Sequence, residues 1–408
     1  MDEAGTIVIG GGQAGLAISH CLSQRGHSHV VLEQADQVAN VWRNKRWDSF
    51  TLNTPNWSLR LPGHTYTGPE PDGFSSRAQV IAYLDEYAIG AKLPVQFGVR
   101  VTGVDREPDA SRYLISTGGG SHLSASNVVV ATGSFQHANI PPVSRDIPPD
   151  VLQLHSEDYR NPDALPAGAV LVVGSGDSGC QIAEELNERE RTVYFCVGQA
   201  GRRPRRYRGK DIMYWANAIP GTPRPPGTPR PAALQQISGV RGGHAINLHQ
   251  FALDGVRLLG HLRGIESETL LLAQDLEENL ALADKACAEW KQRVDEFVLK
   301  SGMDAPAEER DPIDEARSDA GSRAPAALNM REAGITSVIW ATGYRYDYSW
   351  VHLPVFDERG FPAQERGVTE YRGLYFLGMD ALYNAKSGIF LGVGEDAEHV
   401  ASAICVRD

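Results

Sequence analysis

The chain has 408 residues but only five cysteines, no surplus of positive charge and no long apolar run. The cysteines, Cys21, Cys180, Cys196, Cys287 and Cys405, form neither a C-x-x-C motif nor a metal-ligand spacing, so the sequence offers no redox disulfide and no metal site. An odd, scattered set of cysteines is typical of a reducing cytoplasm. The formal net charge of −12 argues against nucleic acid or an anionic membrane surface as the main partner.

Membrane and export signals are missing as well. No stretch reaches the roughly 20 apolar residues of a transmembrane helix. The first five residues lead into a predicted strand without the features of a signal peptide. We therefore expect a cytoplasmic protein without a membrane partner. A chain of 408 residues is long enough for two or three domains, each with its own core.

The sequence does contain a pair of glycine fingerprints, each placed between an apolar run and a helical segment. The first is G-G-G-Q-A-G at positions 10–15, and the second is G-S-G-D-S-G at positions 174–179. In such a motif the first glycine allows a tight turn, the second lets the backbone approach a pyrophosphate, and the third packs helix against strand. The N–H groups at the start of the helix then bind the phosphates.

Two fingerprints predict two dinucleotides in one protein, which is the arrangement that passes a hydride from a nicotinamide to a flavin. The expected contact residues are Gly10, Gly12, Gln13, Ala14 and Gly15 in the first motif and Gly174, Gly176, Asp177, Ser178 and Gly179 in the second.

The residue about 20 positions after each fingerprint indicates which dinucleotide binds there. The first fingerprint is followed by the predicted strand 29–32 and then by Glu33. A carboxylate accepts hydrogen bonds from a free ribose 2′-OH and repels a 2′-phosphate, which fits FAD or NAD. The position near the start of the chain favours FAD. The alternative is that Glu33 is a solvated turn residue.

No acidic residue follows the second fingerprint at the corresponding place. The predicted strand 192–197 is followed instead by five arginines between positions 202 and 208. Guanidinium groups match a 2′-phosphate in charge and in bidentate geometry. We therefore predict NADPH at the second site, with Arg202 and Arg203 as the nearest phosphate ligands. The alternative is a basic loop that only keeps the surface solvated.

The alternation of strands and helices indicates an α/β fold with two Rossmann-like domains. Two strands end in the same triplet, Ala131-Thr132-Gly133 and Ala341-Thr342-Gly343. In two-nucleotide flavoproteins such ends mark where the chain crosses between domains, and we count all six residues among the cofactor contacts. We predict an FAD domain made of residues 1–163 and 331–408, with an NADPH domain, residues 164–330, inserted into it. Val101, in the strand predicted around 95–104, is a further expected FAD contact.

Three segments of the inserted region have distinct patterns. The stretch 221–231 repeats G-T-P-R-P and predicts an extended loop. Apolar residues recur at spacings of four and three over about 275–300, which predicts a long helix with a narrow apolar seam. The seam docks either on its own domain or on another subunit, so a homo-oligomer is left open. Residues 304–325 are rich in Asp, Glu, Pro, Ala and Ser and predict a mobile surface loop.

On these motifs the chain resembles the flavin-containing monooxygenases, a group of class B flavoprotein monooxygenases that includes YUCCA-type and bacterial enzymes. A linker segment at 154–159 is similar to the end of the family signature F-x-G-x-x-x-H-x-x-x-Y. His155 and Tyr159 match the signature, whereas Pro149 and Val151 stand where Phe and Gly are expected.

The resemblance also assigns roles to residues outside the fingerprints. Trp42 and Asn53 lie in a block similar to the family's loop beside the flavin ring, and Asn53 matches an Asn near the reactive C4a atom. Asp380 ends a G-x-D segment that in related flavoproteins contacts the ribityl chain. The alternatives are packing for Trp42, a turn or cap for Asn53 and a helix cap for Asp380.

The function implied by the resemblance is that of an NADPH-dependent FAD monooxygenase. Such an enzyme reduces FAD with NADPH, activates O2 as a C4a-(hydro)peroxyflavin and oxygenates a small organic substrate, with Asn53 as the residue nearest the chemistry. An NADPH oxidase, a flavoprotein reductase with another acceptor, and a poorly active flavin-binding redox sensor remain alternatives.

Overall fold

The computed structural model describes residues 2–106, 112–220, 236–380 and 382–406. The repeated stretch 221–231, for which the sequence predicts an extended loop, lies outside these residues. Within them, no helix is both long and apolar enough to cross a membrane.

The first large sheet combines strands from both ends of the chain. At its centre are three parallel strands, in which Asp2–Ile9 lies between His29–Leu32 and His122–Val130. The remaining strands of this nine-stranded sheet are Val95–Gln96, Val101–Arg106, Tyr113–Thr117, Gln364–Glu365, Val368–Thr369 and Leu374–Phe376. Leu374–Phe376 pairs in parallel with the other edge of His122–Val130, which brings the C-terminal part of the chain into the same sheet as the N-terminal strand.

The second large sheet has five strands, all parallel. Their spatial order is Leu152–His155, Ile335–Trp340, Ala169–Val173, Val193–Cys196 and Arg257–Leu259. Every residue of the central strand Ala169–Val173 is buried. This explains its uninterrupted apolar sequence, because parallel strands are covered on both faces.

The smaller sheets and the helices complete the described structure. A three-stranded antiparallel sheet and four two-stranded ones consist of Leu262–Glu266, Thr269–Leu272 and Ala327–Asn329, then Arg60–Leu61 with His64–Thr65, His137–Ala138 with Tyr344–Arg345, Arg206–Tyr207 with Lys210–Asp211, and Ile237–Ser238 with His244–Ala245. The α-helices are Gln13–Gln24, Asn40–Asn44, Arg77–Gly90, Asp177–Glu188, Ile212–Ala218, Leu248–Leu253, Leu276–Ser301, Pro312–Glu315, Ala320–Arg323 and Phe390–Cys405.

Each large sheet has its own hydrophobic core. Buried residues of the first fingerprint helix, Gln13–Gln24, and of the C-terminal helix, Phe390–Cys405, share one core with the first sheet. In the second sheet, Val170 and Val172 pack toward the second fingerprint helix, Asp177–Glu188, on one face. Leu171, on the opposite face, packs toward the three-stranded sheet. The predicted α/β fold with two dinucleotide-type units is confirmed.

The limits of the two units differ from simple insertion at 164 and 330. The second sheet includes the strands Leu152–His155 and Ile335–Trp340, which lie outside 164–330 on either side. Measured by sheet membership, the second unit is therefore wider than predicted, and the division of the chain into FAD and NADPH domains stays a prediction.

The long helix is confirmed, as Leu276–Ser301. Leu276 and Leu280 of its apolar seam are buried in the core of the second unit. Val294 is fully buried in a cluster with Tyr207 and Trp215, which are also in the inserted region. The prediction of a mobile loop over 304–325 is wrong in part. This segment contains two short helices, and Asp314 in the first of them is only 6% exposed.

Candidate functional site

The first fingerprint forms a cradle at the carboxyl end of the N-terminal strand. Gly10 has a φ of +109°, and a Cβ there would lie 2.7 Å from the carbonyl oxygen of Ala131. A Cβ at Gly15 would lie 1.8 Å from the carbonyl oxygen of Gly10. A Cβ at Gly12, by contrast, would have no atom of the described residues within 4 Å, apart from those of its neighbours along the chain. Gly10 and Gly15 are thus required by packing, whereas Gly12 borders an open space at the helix N-terminus. This space fits a pyrophosphate.

Glu33 lies beside this cradle. It is 7% exposed, and its Oε2 accepts a hydrogen bond of 2.6 Å from the backbone N–H of Gly11. Its Oε1 accepts a second one, of 2.8 Å, from the N–H of Ala35. Glu33 is therefore not the solvated turn residue of the alternative interpretation. Its expected contact with a ribose hydroxyl stays a prediction.

The second fingerprint repeats the geometry of the first. Gly174 has a φ of +106°, and a Cβ there would lie 2.5 Å from the carbonyl oxygen of Ala341. A Cβ at Gly179 would lie 1.8 Å from the carbonyl oxygen of Gly174. Gly176 is the N-cap of the helix that begins with Asp177. Ser178 follows in the first turn of this helix. The chain therefore has two cradles of one design.

The two Ala-Thr-Gly ends explain part of this repetition. Each alanine ends a strand that neighbours a fingerprint strand, so its carbonyl limits the space at the first glycine of that fingerprint. In the first triplet, Thr132 Oγ1 and the Gly133 carbonyl both accept hydrogen bonds of 3.0 Å from Gln136. In the second, the Thr342 carbonyl accepts one of 3.1 Å from Asn139. Whether the six residues contact a cofactor stays a prediction.

Arg202 and Arg203 both bind within their own unit. Arg202 is 4% exposed, and its guanidinium lies 2.8 Å from Asp284 Oδ1 and 2.8 Å from Asp314 Oδ1. Arg203 donates to the carbonyl of Ala286 at 2.9 Å. Its guanidinium also lies 5.1 Å from the centre of the Trp290 ring. A 2′-phosphate role for either arginine stays a prediction, and for Arg202 it would require exchange of a buried carboxylate partner.

The basic run is not a solvating loop. Of its five arginines only Arg206 is exposed, and it donates to the carbonyls of Gly242 and Gly243. Arg205 is 2% exposed and is paired with Asp211 at 2.7 Å. The run therefore consists mostly of arginines that hold neighbouring segments together.

Asn53 lies where the two units meet. Its Oδ1 accepts a hydrogen bond of 2.7 Å from Gln181 Nε2 in the second fingerprint helix, and its backbone carbonyl accepts one of 2.8 Å from Arg205. Gln181 Nε2 also donates to the carbonyl of Ile237 at 2.9 Å, which fixes the orientation of the Gln181 amide because a carbonyl only accepts. Asn53 must then present its oxygen to Gln181, and its NH2 group faces away. The expected position near C4a stays a prediction.

The C-terminal segment closes the first cradle. A Cβ at Gly378 would lie 2.4 Å from the Cβ of Ala14, and Gln13 Nε2 donates to the carbonyl of Gly388 at 2.8 Å. Asp380 lies in this segment, and its N–H donates to Ser134 at 3.1 Å. Asp380 therefore belongs to a segment that contacts the first fingerprint helix through Gly378 and Gly388, and its contact with the ribityl chain stays a prediction.

Two further predicted contacts lie on the same unit. Trp42 stacks on Phe390, the first residue of the C-terminal helix, with ring centres 5.9 Å apart. Val101 begins the strand Val101–Arg106 and pairs with Thr117, and no contact described for it indicates a cofactor role. Both assignments stay predictions.

The linker residues of the family signature have structural partners. His155 is 1% exposed, and its Nε2 donates to the carbonyl of Gly343 at 3.0 Å. Burial lowers the pKa of His155, in agreement with a neutral ring. The hydroxyl of the buried Tyr159 donates to Glu185 at 2.7 Å, in the second fingerprint helix. Both residues fasten the linker to the second unit.

Comparisons with known proteins agree with this geometry. The sequence matches the family described as pyridine nucleotide-disulphide oxidoreductase over residues 7–217, and the chain belongs to this family. It is 32% identical to an uncharacterized CzcO-like oxidoreductase of Geobacillus kaustophilus, over 98% of this chain and 97% of that protein. It is 30% identical to the indole-3-pyruvate monooxygenase YUCCA1 of Oryza sativa, over 45% of each chain.

Solved structures share the whole fold. A flavin-containing monooxygenase from Stenotrophomonas maltophilia has a TM-score of 0.70 and 20% identity, over 100% of this chain and 99% of that one. The bacillithiol disulfide reductase Bdr from Bacillus cereus has a TM-score of 0.65 and 16% identity, over 100% of both chains. The predicted resemblance, enzyme class and pairing of FAD with NADPH are confirmed at the level of this family. The chain is a pyridine-nucleotide-dependent flavoprotein oxidoreductase.

Sequence reasoning missed Gln181, Arg205 and Arg46. Gln181 is a polar residue within a run of buried residues in the second fingerprint helix, and a polar side chain at this place was a usable signal. Arg205 looked like its neighbours in the basic run. Arg46, which is 8% exposed among aromatic rings, had no signal beyond the tryptophan next to it.

Proposed function

We propose that this protein is an NADPH-dependent FAD monooxygenase that transfers one oxygen atom of O2 to a small organic substrate. The observation that supports it best is the pair of cradles, one at each of the two large sheets, joined by the loop around Asn53. When bound, FAD accepts a hydride from NADPH and, once reduced, reacts with O2. The chain's own residues bind and orient the two dinucleotides.

Each residue has a defined task in this proposal. The helix that follows Gly12 binds the FAD pyrophosphate, and Glu33 and Asp380 contact the sugar hydroxyls. The helix that follows Gly176 binds the NADPH pyrophosphate. The side-chain NH2 of Asn53 donates a hydrogen bond at the flavin ring. A donor fixed in advance and aimed at developing negative charge stabilises the reacting state more than the resting one.

The cysteines argue against a disulfide reductase, although the family name includes that activity. Cys21, Cys180, Cys196 and Cys287 are buried. Burial raises the pKa of Cys196 to about 12 and that of Cys287 to about 11, and it raises those of Cys21 and Cys180 further. Thiol–disulfide exchange needs an accessible thiolate, which a buried thiol of raised pKa does not supply. Because all five cysteines are thiols, we also propose a cytoplasmic location.

Oxygen consumption by the purified holoenzyme tests the proposal. The protein is expected to purify with FAD, to oxidise NADPH faster than NADH, and to consume O2. A substrate screen should reveal compounds that lower the peroxide formed per NADPH. Stoichiometric peroxide with every compound would indicate an oxidase. NADPH oxidation that needs a quinone or disulfide and no O2 would indicate a reductase.

A further inference from the structure

Arg46 is a buried cation in a cage of aromatic rings. Its guanidinium carbon lies 4.4 Å from the ring centre of Phe135, 5.4 Å from that of Phe50 and 5.5 Å from that of Trp42. Tyr344 is a fourth aromatic neighbour, and its hydroxyl is within hydrogen-bonding reach of the guanidinium. The residue is 8% exposed. The guanidinium therefore has little contact with water.

The cage supplies little negative charge. Arg46 Nη1 donates to the carbonyl of Lys45 at 2.9 Å, and Nε has no hydrogen-bond acceptor among the described residues. None of these residues places a carboxylate within ion-pair distance of the guanidinium. Glu157 is the acidic residue that acts on it, but its Oε2 lies 3.0 Å from Lys45 Nζ. The other charged neighbour is Arg77, which donates to the Arg46 carbonyl at 3.0 Å and adds positive charge.

A buried arginine without a carboxylate partner is unfavourable unless another group supplies a negative charge or the missing hydrogen-bond acceptors. Arginine does not lose its proton at ordinary pH, so burial cannot be relieved by neutralisation. A buried charge is normally paired with an opposite charge or fully hydrogen-bonded. Ring faces attract a cation, but more weakly than a carboxylate held by two hydrogen bonds. The arrangement is therefore that of a receptor for an anion.

The cage adjoins the two Ala-Thr-Gly ends and lies outside the two fingerprint segments. Phe135 follows the first Ala-Thr-Gly end by two residues, and Tyr344 directly follows the second. Trp42 stacks on Phe390 beside the first cradle. None of the side chains described around Arg46 belongs to the fingerprints 10–15 or 174–179. Phe135 is 40% exposed, so one wall of the cage reaches the surface.

We propose that Arg46 binds the carboxylate of the substrate, and that the substrate class is a small organic acid with an apolar or aromatic body. This inference rests on the proposed monooxygenase function. The planar fork of a guanidinium matches a carboxylate in bidentate geometry, and the rings around it suit an apolar body. The pyrophosphates of both cofactors are assigned to the two helix N-termini, and the 2′-phosphate is predicted to lie after the second strand, at Arg202 and Arg203. The anion at Arg46 is therefore assigned to the substrate.

Binding to the FAD-loaded protein, measured by calorimetry without NADPH, tests this directly. The probes are two acids and their neutral amides: phenylacetate with phenylacetamide, and hexanoate with hexanamide. At least one acid is expected to bind at least about tenfold more tightly than its amide, because charge-assisted hydrogen bonds replace neutral ones. Acids that bind no better than their amides would overturn the proposal.

Variants assign the binding to Arg46. Arg46→Met keeps an unbranched side chain in the cage but removes the charge, and it should weaken binding of the acid at least about tenfold without changing that of the amide. Arg46→Lys should give an intermediate value. Arg331→Met is the control, since Arg331 pairs with Glu268 on the surface and should leave binding unchanged.

Different failures have different readings. If Arg46→Met retains affinity for the acid but loses FAD or binds NADP+ more weakly, the anion is a cofactor phosphate and the proposal is wrong. If Arg46→Met does not fold, the comparison of acid with amide in the parent protein and in Arg46→Lys still decides. A protein that binds acids in this way but never oxygenates a substrate would contradict the proposed function alone.

Discussion

Gly12→Ala separates cofactor binding from folding more cleanly than other changes in the first fingerprint. Gly12 has φ −83° and ψ −174°, an extended conformation that alanine adopts without strain. Apart from its neighbours along the chain, no atom of the described residues lies within 4 Å of the added Cβ. The protein without cofactor should therefore accept the methyl group. The same methyl group would occupy the space that we assign to the FAD pyrophosphate.

The substitution Gly12→Ala should change the stability of the protein without cofactor and the affinity for FAD in opposite directions. Replacing a glycine in a conformation that alanine tolerates stabilises a protein by about 0.4–1 kcal/mol, because the unfolded chain loses entropy. Losing one or two charge-assisted hydrogen bonds from backbone N–H groups to a phosphate costs about 1.5–3 kcal/mol each. The affinity for FAD should thus fall between about tenfold and about twenty-thousandfold, while the protein stripped of FAD becomes no less stable.

Two measurements decide the matter. FAD content after purification and the dissociation constant for added FAD give the binding effect, and thermal unfolding of the stripped protein gives the stability effect. Gly15→Ala is the matched contrast, because its Cβ would lie 1.8 Å from the Gly10 carbonyl oxygen and should destabilise the stripped protein itself. Full FAD retention by Gly12→Ala would refute the assignment of this cradle.

Three further predictions concern the second unit and its junction with the first. Arg202→Ala should lower the free energy of unfolding by about 1.5–3 kcal/mol in chemical denaturation, because it removes charge-assisted hydrogen bonds to Asp284 and to the buried Asp314, while Arg317 and Lys291 remain as their other cationic partners. Arg203→Ala should cost less. If instead both variants keep their stability and raise only the KM for NADPH, the phosphate role predicted for both is correct. Asn53→Ala should leave flavin reduction by NADPH nearly unchanged but divert electrons to hydrogen peroxide, and Gln181→Leu, which removes only the side-chain partner, should have a smaller effect; equal effects of the two would mean that Asn53 merely anchors its loop. A Cβ at Gly239, in the second unit, would lie 1.8 Å from the carbonyl oxygen of Leu52 in the first, and we expect this close contact to set the distance between the two cradles. In Gly239→Ala, rapid-mixing absorbance should therefore show slower flavin reduction with FAD and NADP+ still bound. An unchanged rate would contradict this expectation.

The parts of the fold that were predicted from sequence depend on local patterns. The strand before the second fingerprint is an uninterrupted apolar run because it is central in a parallel sheet, and the strand before the first ends in the apolar run Ile7-Val8-Ile9. The first and last glycines of each motif lie where a Cβ would clash with a backbone carbonyl oxygen. The long helix had an apolar seam at the correct spacing. Glu33 was found because its distance from the fingerprint follows from the length of one helix and one strand.

The parts that were not predicted depend on partners distant in sequence. The basic run after the second strand had the composition of a phosphate site, yet Arg202 pairs with Asp284 and Asp314, which follow it by 82 and 112 residues. Composition alone also made the region around Asp314 look mobile. An acidic segment and a basic segment of one chain can form ion pairs with each other. A single sequence does not show that two distant segments lie close together in the fold.

The junction of the two units gives the basic run a different meaning. Arg205 pairs with Asp211, lies 4.4 Å from the ring centre of Phe74 and donates to the Asn53 carbonyl, so it reaches from the second unit into the loop predicted to face the flavin. Gln181 fixes the same loop from the second fingerprint helix. A hydride passes only between atoms in contact. The loop around Asn53 touches both units, so its position affects how closely the two cradles approach each other. Arginine suits this task because one planar group can bind a carboxylate and a carbonyl at the same time while stacking on a ring. We therefore expect Arg205, rather than the basic run as a whole, to help set the distance between the two cofactors.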